Sequence, residues 1–362
     1  DSGGAVLLTW LQRAESGATL WFARKAGEGW SAPAAIVESD DLFVNWADFP
    51  SITSDKSGTL LAHWLQKRGS GSYAYDVRLA SSRDGGATWS PSIVANNDGT
   101  ETEHGFVSML PHPDGARFAV VWLDGRNMKE SNGGHGEGSM TLRYAALDPA
   151  TMKLSDETQL DERTCECCQT SMAMASRGPV VAYRDRSEAE IRDIAVVRWM
   201  GERWSAPSIV HPDGWEINGC PVNGPQIAAA GDRVAVAWFS AAGKEPRVQV
   251  AFSDDGGASF AAPVRVDDGK AIGRVDVLLH GSGAAVVTWL EDAGKTAIGR
   301  ARTVGSDGWR SDTIEIARTE SSRSSGVPRI ASDGRTVYFT WTEPGANSRV
   351  RVASSEIREV SE

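Results

Sequence analysis

Seven short apolar runs, each closed by an aromatic residue, recur along the chain at intervals of 51 to 61 residues. They are AVLLTW ending at Trp10, TLLAHW at Trp64, FAVVW at Trp122, VVAY at Tyr183, VAVAW at Trp238, AAVVTW at Trp289 and VYFTW at Trp341. A period this long, with several short strands in each unit, points to propeller blades rather than helical solenoids. The runs do not alternate apolar with polar residues, as expected of a strand covered on both faces. About thirteen or fourteen residues before each anchor lies another short strand: FPSI, FVSML, QTSMAM, GPQI, VDVLL and VPRI in turn. Gly and Asp turns such as Ser332-Asp333-Gly334 separate the two, the punctuation of a tight hairpin. A third strand with cleaner alternation follows the anchor (YDVRLASS, RVQVAFS), and a weaker fourth follows a Trp-Ser-Ala-Pro turn. The expectation is an all-β propeller of four-stranded antiparallel blades, seven by the count of anchors. Helical periodicity is nearly absent; AEIRD at 189–193 is the best candidate and is too short to stand alone.

On this reading residues 1–362 form one propeller domain, with blades at roughly 1–40, 41–97, 98–160, 161–211, 212–266, 267–317 and 318–362. Asp1-Ser2-Gly3-Gly4 corresponds to the turn before Trp64, so the innermost strand of blade 1 is missing from this sequence. Upstream trimming would explain that, and so would a seam completed by the C-terminal strands. No signal peptide is visible, which fits a chain that starts mid-repeat after processing. With 37 basic against 48 acidic residues the net charge is −11, which argues against a nucleic-acid partner. No run approaches the eighteen apolar residues of a membrane span.

The turn after the third strand carries the sharpest motif. Ser82-Arg83-Asp84-Gly85-Gly86-Ala87-Thr88-Trp89 matches S-x-D-x-G-x-T-W throughout, and Ser253 to Phe260 matches with Ser and Phe as conservative changes. Degenerate relatives end at Trp30, Trp204 and Trp309. The Asp can accept bonds from turn amides, and the Gly permits positive φ. This is the Asp-box, and the chain resembles the sialidase-like (BNR repeat) β-propellers over essentially its whole length. The resemblance implies a propeller; sialidases themselves have six blades, which makes six the alternative count. Six of the fourteen tryptophans are anchors and four more close Asp-box-type turns. Of the remaining four, Trp46 and Trp215 lie in crossover loops, where each could stack on a sugar or plug a local gap.

In a propeller the crossovers between blades and the loops after the anchors share one face, where chemistry is to be sought. Eighteen residues before the anchors at 64, 122, 183 and 238 stand Trp46, His104, Cys165 and Cys220. All four cysteines, Cys165, Cys167, Cys168 and Cys220, thus fall in two neighbouring crossover loops. Disulfides tying blade 4 to blade 5 are one reading, with Cys220 paired to one of the other three. A thiolate site for Cu(I) or Zn(II), with His104 as neighbour, is the second, and inert thiols are the third. The anchor-following loops carry Asp124-Gly125-Arg126 and Arg184-Asp185-Arg186, then Glu190 and Arg192. With Arg274 and Arg323 of later crossovers, these arginines could hold a carboxylate or phosphate, or pair with the aspartates. The Gly-rich loop 127–140 could serve as a lid or offer His135 and Glu137 to a metal.

Sialidase resemblance implies three arginines on a sialic acid carboxylate, a Tyr nucleophile assisted by Glu, and an Asp acid/base. The place of the family's Arg-Ile-Pro reads Asp48-Phe49-Pro50 here, and no tyrosine stands out as nucleophile. The leading expectation is therefore a secreted or periplasmic binding propeller whose funnel holds a thiophilic metal (Cu or Zn) or a small anionic ligand. An exo-glycosidase using Asp48, Asp124 or Asp185 with Glu190 is the alternative, and a disulfide-braced protein-interaction scaffold the third. The partners that go with these readings are a small molecule, a glycan, a metal ion or another protein.

Overall fold

Each anchor run becomes the second strand of its sheet, except in blade 1, where it comes first. The computed structural model describes residues 4–27, 29–128, 138–281, 283–346 and 348–356. His135 and Glu137 lie outside the described residues. The contacts divide the chain into two compact units, 1–166 and 167–362.

The first unit carries blades 1 to 3. Blade 1 places β2 (Ala18–Ala26) between β1 (Leu7–Arg13) and the pieces β3 (Gly29–Trp30) and β4 (Ala34–Ser39). Blade 2 runs in order through β5 (Ser51–Ser54), β6 (Leu60–Lys67), β7 (Tyr75–Ser82) and β8 (Ile93–Val94). Blade 3 does the same with β9 (His104–Pro111), β10 (Phe118–Asp124), β11 (Met140–Asp148) and β12 (Lys153–Thr164). The second unit carries blade 4 from β13 (Ser171–Ala175) to β16 (Ser208–His211) and blade 5 from β17 (Gln226–Ala230) to β20 (Val264–Arg265). Blade 6 comprises β21 (Ala271–His280), β22 (Ala284–Asp292), β23 (Thr296–Val304) and β24 (Ile314–Glu320). In blade 7 only β25 (Arg329–Ser332), β26 (Thr336–Glu343) and β27 (Arg349–Glu356) occur among the described residues. Pairing within each of the seven sheets is antiparallel, and the fold is a seven-bladed β-propeller, not the six-bladed alternative.

In blades 3 and 4 the anchor strands are buried on both faces: every residue of β10 and of Gly178–Arg184 is buried. The third strands differ from their expected alternation, since β7 and Arg247–Ser253 of blade 5 are buried at all but one position each. Two of their polar positions, Asp76 and Gln249, are buried with partners: Asp76 accepts from Asn96 Nδ2 at 2.9 Å, and Gln249 Nε2 donates to Asp213 at 3.0 Å. Residues 189–193, the best helical candidate and too short to stand alone, form a turn closing on an isolated bridge at Ile191, with Glu190 at φ 58°. The fourth strands of blades 3 and 6 extend to Thr164 and Glu320, beyond the boundaries read from sequence.

Two devices recur. In the Ser82 turn, Asp84 Oδ1 accepts the Thr88 N–H at 2.9 Å and Oδ2 the Thr88 hydroxyl at 2.6 Å, while Ser82 Oγ accepts the Gly86 N–H at 2.8 Å. The turn at Ser253 repeats this with Asp255, Ser259 and Gly257 at 2.9, 2.6 and 2.9 Å. Gly86 has φ 94°, and a Cβ there would overlap the Phe22 ring of blade 1. The second device is a buried side chain of one blade that accepts a backbone N–H of the next. Asp48 takes Phe106 at 2.9 Å, Asn223 takes Arg274 at 2.7 Å and Asp276 takes Ile330 at 2.9 Å. Phe106 and Arg274 each follow a glycine and sit at φ 52° and 54°, outside the ladder geometry, which is why a side chain must satisfy their amides.

Candidate functional site

In the first unit, the start of β7 meets the segment leading into β9, where Tyr75 and Glu103 form a parallel bridge. Tyr75 Oη donates to Glu103 Oε1 at 2.7 Å, and its ring stacks on Phe43 with centroids 4.1 Å apart. Asp48 sits beside them, 2% exposed, with Oδ1 on the Phe106 amide and Oδ2 buried without a hydrogen-bond partner. Oδ2 packs on Gly105, where any Cβ would overlap it. Burial first, then the Glu103 charge, drives the Asp48 carboxyl well above the usual carboxylate range, against the pull of the Phe106 amide and Tyr75. Glu103 is pushed up to about 7 by burial and by the negative neighbours Glu166 and Cys165, against the Tyr75 bond and His104. Burial and both carboxylates raise Tyr75 as well. All three shifts favour the protonated forms.

His104 stands next in sequence yet belongs to a separate network. Its Nδ1 faces the carbonyls of Tyr75 and Thr102 at 3.2 and 3.1 Å, and its Nε2 faces Asp98 Oδ2 at 2.9 Å. Acceptors on both sides require a proton on both nitrogens. Burial lowers the His104 pKa, but the Asp98 bond and the charges of Asp124 and Asp98 outweigh it, so the net shift is upward. Asp124, fully buried, receives Arg126 Nε and Nη2, each at 2.7 Å, and the Trp122 indole at 2.7 Å. Burial pushes its carboxyl up, yet Arg126, His104 and Trp122 hold it below the usual range. Asp98, His104 and Asp124 have the donor set and proximity of a metal site. The guanidinium of Arg126, 3.5 Å from Asp98 and 2.7 Å from Asp124, already supplies the positive charge there.

In the second unit, the expected anion-holding arginines are spent on protein. Arg184, buried, donates to the carbonyls of Arg192, Asn223 and Phe239 at 2.6 to 3.1 Å, and lies 4.8 Å over the Trp215 ring. Trp215 itself is 6% exposed and packs edge-on to Phe239, so it is a plug rather than a sugar platform. Arg186 and the buried Arg192 share the Glu190 carboxylate at 2.6 and 2.9 Å, which lowers its pKa against burial. Asp185 is half-buried and its amide bonds the Asp193 carbonyl at 2.9 Å. Arg274 is held by Ser325 Oγ and the carbonyls of Gly326 and Ser322 at 2.6, 2.8 and 3.2 Å. Burial and the nearby charge of Arg323 drop its pKa to about 10. Arg323 is exposed in a single 3-10 turn, Arg323–Ser325. Trp46, back in the first unit, is half-buried.

The cysteines divide. Cys165, Cys167 and Cys168 lie in one tight turn after Thr164, and their sulfurs lie within 4.8 Å of one another. Cys165 and Cys168 are each 1% exposed. Cys220 is exposed and outside this group, and no disulfide links any of the four. His104 is not a member either, because its ring is committed to Asp98. For a tetrahedral or trigonal ion with metal–sulfur bonds of about 2.3 Å, sulfurs must approach to roughly 4 Å. The turn meets that with small adjustments.

Tyr75 and Glu103 are the residues that sequence reasoning passed over. They are 28 positions apart, and their meeting depends on strand adjacency. The one available signal was an acidic residue directly before His104 in a crossover.

No protein-family model matches the chain, and no curated protein matches it. Solved structures do, at the level of fold. An α-L-arabinanase from Penicillium chrysogenum, solved with arabinobiose, is 12% identical with a TM-score of 0.58, over 87% of this chain and 95% of that one. The NanB sialidase from Streptococcus pneumoniae is 10% identical with a TM-score of 0.53, over 86% and 67%. A Trypanosoma rangeli sialidase solved with the inhibitor DANA is 12% identical with a TM-score of 0.52, over 96% of this chain but only 59% of its own length. The architecture is that of the sialidase-like propellers; identities this low establish fold and nothing about activity.

Proposed function

We propose that this propeller binds a thiophilic cation, Cu(I) or Zn(II), through Cys165, Cys167 and Cys168. The observation that carries the reading is the convergence of three sulfurs within 4.8 Å in one mostly buried turn. Thiolates select soft ions, and a three-sulfur set suits trigonal Cu(I) or a Zn(II) with one further ligand. The competing anion reading is weakened because Arg126, Arg184 and Arg186 already hold protein acceptors. The compartment expected from the sequence, the periplasm or the extracellular space, goes with the proposal. Thiols this close would oxidise there unless a metal held them. The test is metal analysis and thiol counting on protein purified without reductant, then loaded with Cu(I) or Zn(II). Wild type and Cys220→Ser should retain about one equivalent, while Cys168→Ser loses it. Four reactive thiols with no retained metal, or a Cys165–Cys168 disulfide that metal cannot displace, would overturn it.

A second reading rests on a different observation: Tyr75, Glu103 and Asp48 supply a hydrogen-bonded phenol, a carboxyl near 7 and a protonated acid. Those are the group types a sialidase-like exo-glycosidase requires. Release of aryl alcohol from a glycoside panel, abolished in Glu103→Gln with the metal content intact, would favour it. The burial of Tyr75 and Asp48, 1% and 2% exposed, counts against access by a sugar.

A further inference from the structure

A cavity of the second unit lies far along the chain from the cysteine turn. It is a half-open groove of about 770 Å³ on the side of blades 5 to 7 that carries the Asp-Gly turns. Its volume is in the range of small-ligand sites, roughly 300–1,000 Å³. The floor is apolar, formed by Val286, Ala301, Val337 and Phe339, and the exposed Ile314 extends it outward. On the blade 7 side β27 is the outermost strand among the described residues.

Trp309 lines this groove and breaks the pattern of its counterparts. Trp30, Trp89, Trp204 and Phe260 close equivalent turns and are half-buried; Trp309 is 47% exposed. Its backbone is nevertheless held, with its N–H on Asp307 Oδ1 at 3.0 Å and its carbonyl accepting the Gly305 N–H at 2.8 Å. A large indole is thus presented to solvent from a fixed turn, at a place where plugging between blades does not account for it. Arg302, 8% exposed, forms part of the wall. Its Nη atoms bond Asp268 at 3.0 and 2.6 Å and the Val266 carbonyl at 2.7 Å, whereas its buried Nε has no acceptor.

The rim decides the chemistry of the occupant. Arg302 is neutralised by Asp268 and Arg233 by Asp254, so the groove does not call for an anion. What it offers is a flat aromatic face, an apolar floor, and donors and acceptors together along the edge (His280, Asp307, Ser311, Asp312). A sugar ring has the complementary form, with one C–H face and a girdle of hydroxyls that both donate and accept. We propose that this groove binds a neutral oligosaccharide, with one ring stacked on Trp309 and its hydroxyls on the polar rim of His280, Asp307, Ser311 and Asp312. The site is separate from the proposed thiolate turn and does not depend on it.

The test titrates the full chain with neutral tetrasaccharides of the cello, xylo, arabino, malto and chito series, followed by indole fluorescence and calorimetry. At least one series should saturate, and Trp309→Ala should weaken it by at least about tenfold, the loss of one stacked ring. Because Trp309 is exposed, that variant should melt with the wild type, and Trp309→Phe should keep part of the affinity. Cys168→Ser should bind sugar unchanged, which separates failure here from failure of the metal reading. Saturation by none of the five series, equal binding by Trp309→Ala, or preference for an extended apolar peptide over every saccharide would overturn the proposal.

Discussion

Asp48 and Asn223 do the same work in two blades. Each crosses to the next blade and accepts the amide of a positive-φ residue that follows a glycine, Phe106 and Arg274 respectively. A neutral amide suffices in one case, and in the other burial keeps the carboxyl protonated, which makes it an amide mimic. The sequence, in showing Asp48 at the head of an early inner strand, invited a catalytic reading; the repeat of its contact at Asn223 supports an architectural one. An acid with a raised folded pKa binds a proton that the unfolded chain releases, so its contribution is lost as pH rises above about 3.8 toward the folded value. Asp48→Asn should therefore lose less stability than wild type as pH rises from 5 to 8. Urea unfolding at the two pH values measures it. A variant with the same pH slope as wild type would show that Asp48 is not the titrating group.

At the scale of elements, β9 and β10 join a buried ion network, and its pH dependence has two limbs of opposite sign. Asp98 and Asp124 have lowered folded values, so their stabilisation is present above about 3.8 and fades as pH falls below it. His104 has a raised folded value, so its stabilisation is complete below 6.5 and is lost as pH climbs through the folded value. His104→Gln should flatten the alkaline limb and leave the acid limb, as thermal melts from pH 3 to pH 9 would reveal. Asp124→Ala strips partners from Arg126, Trp122 and His104 at once. Breaking a buried pair costs about 3–5 kcal/mol; Arg126 is 20% exposed, so about 2–4 kcal/mol is expected in denaturant titrations. A loss under 1 kcal/mol would mean that water replaces the carboxylate. The anchors and hairpins of these elements were legible because apolar runs and Gly turns are local signals. The third strands were not, since polar residues such as Asp76 and Gln249 read as solvent-facing until partners from elsewhere in the fold cover them. Residues 189–193, too short to stand as a helix, are closed as a turn where Arg186 and Arg192 converge on Glu190.

For the whole molecule the period of the sequence determined the architecture, while the chemistry lay in spacings of very different reach. Cys-x-Cys-Cys is readable because a four-residue turn brings its sulfurs together by itself. The Tyr75–Glu103 pair and the groove beside Trp309 arise only once sheets are stacked. That difference in reach bears on how a bound ion would affect stability. A ligand specific for the folded chain stabilises by mass action, about 4.1 kcal/mol at a thousandfold excess over Kd. Three cysteines within four residues can also gather a cation in the unfolded chain, which subtracts from that gain. Saturating Zn(II) should thus raise the melting temperature by less than the measured Kd implies, and a chelator should return it to the apo value. A synthetic peptide covering 160–173 should bind the same ion more weakly than the protein, because burial of Cys165 and Cys168 fixes their rotamers and keeps water out. The ratio of the two dissociation constants should equal the stabilisation seen in the melt, since both report the same difference between folded and unfolded sites. Equal affinities for peptide and protein, with no rise in melting temperature, would mean that the fold adds nothing to the turn.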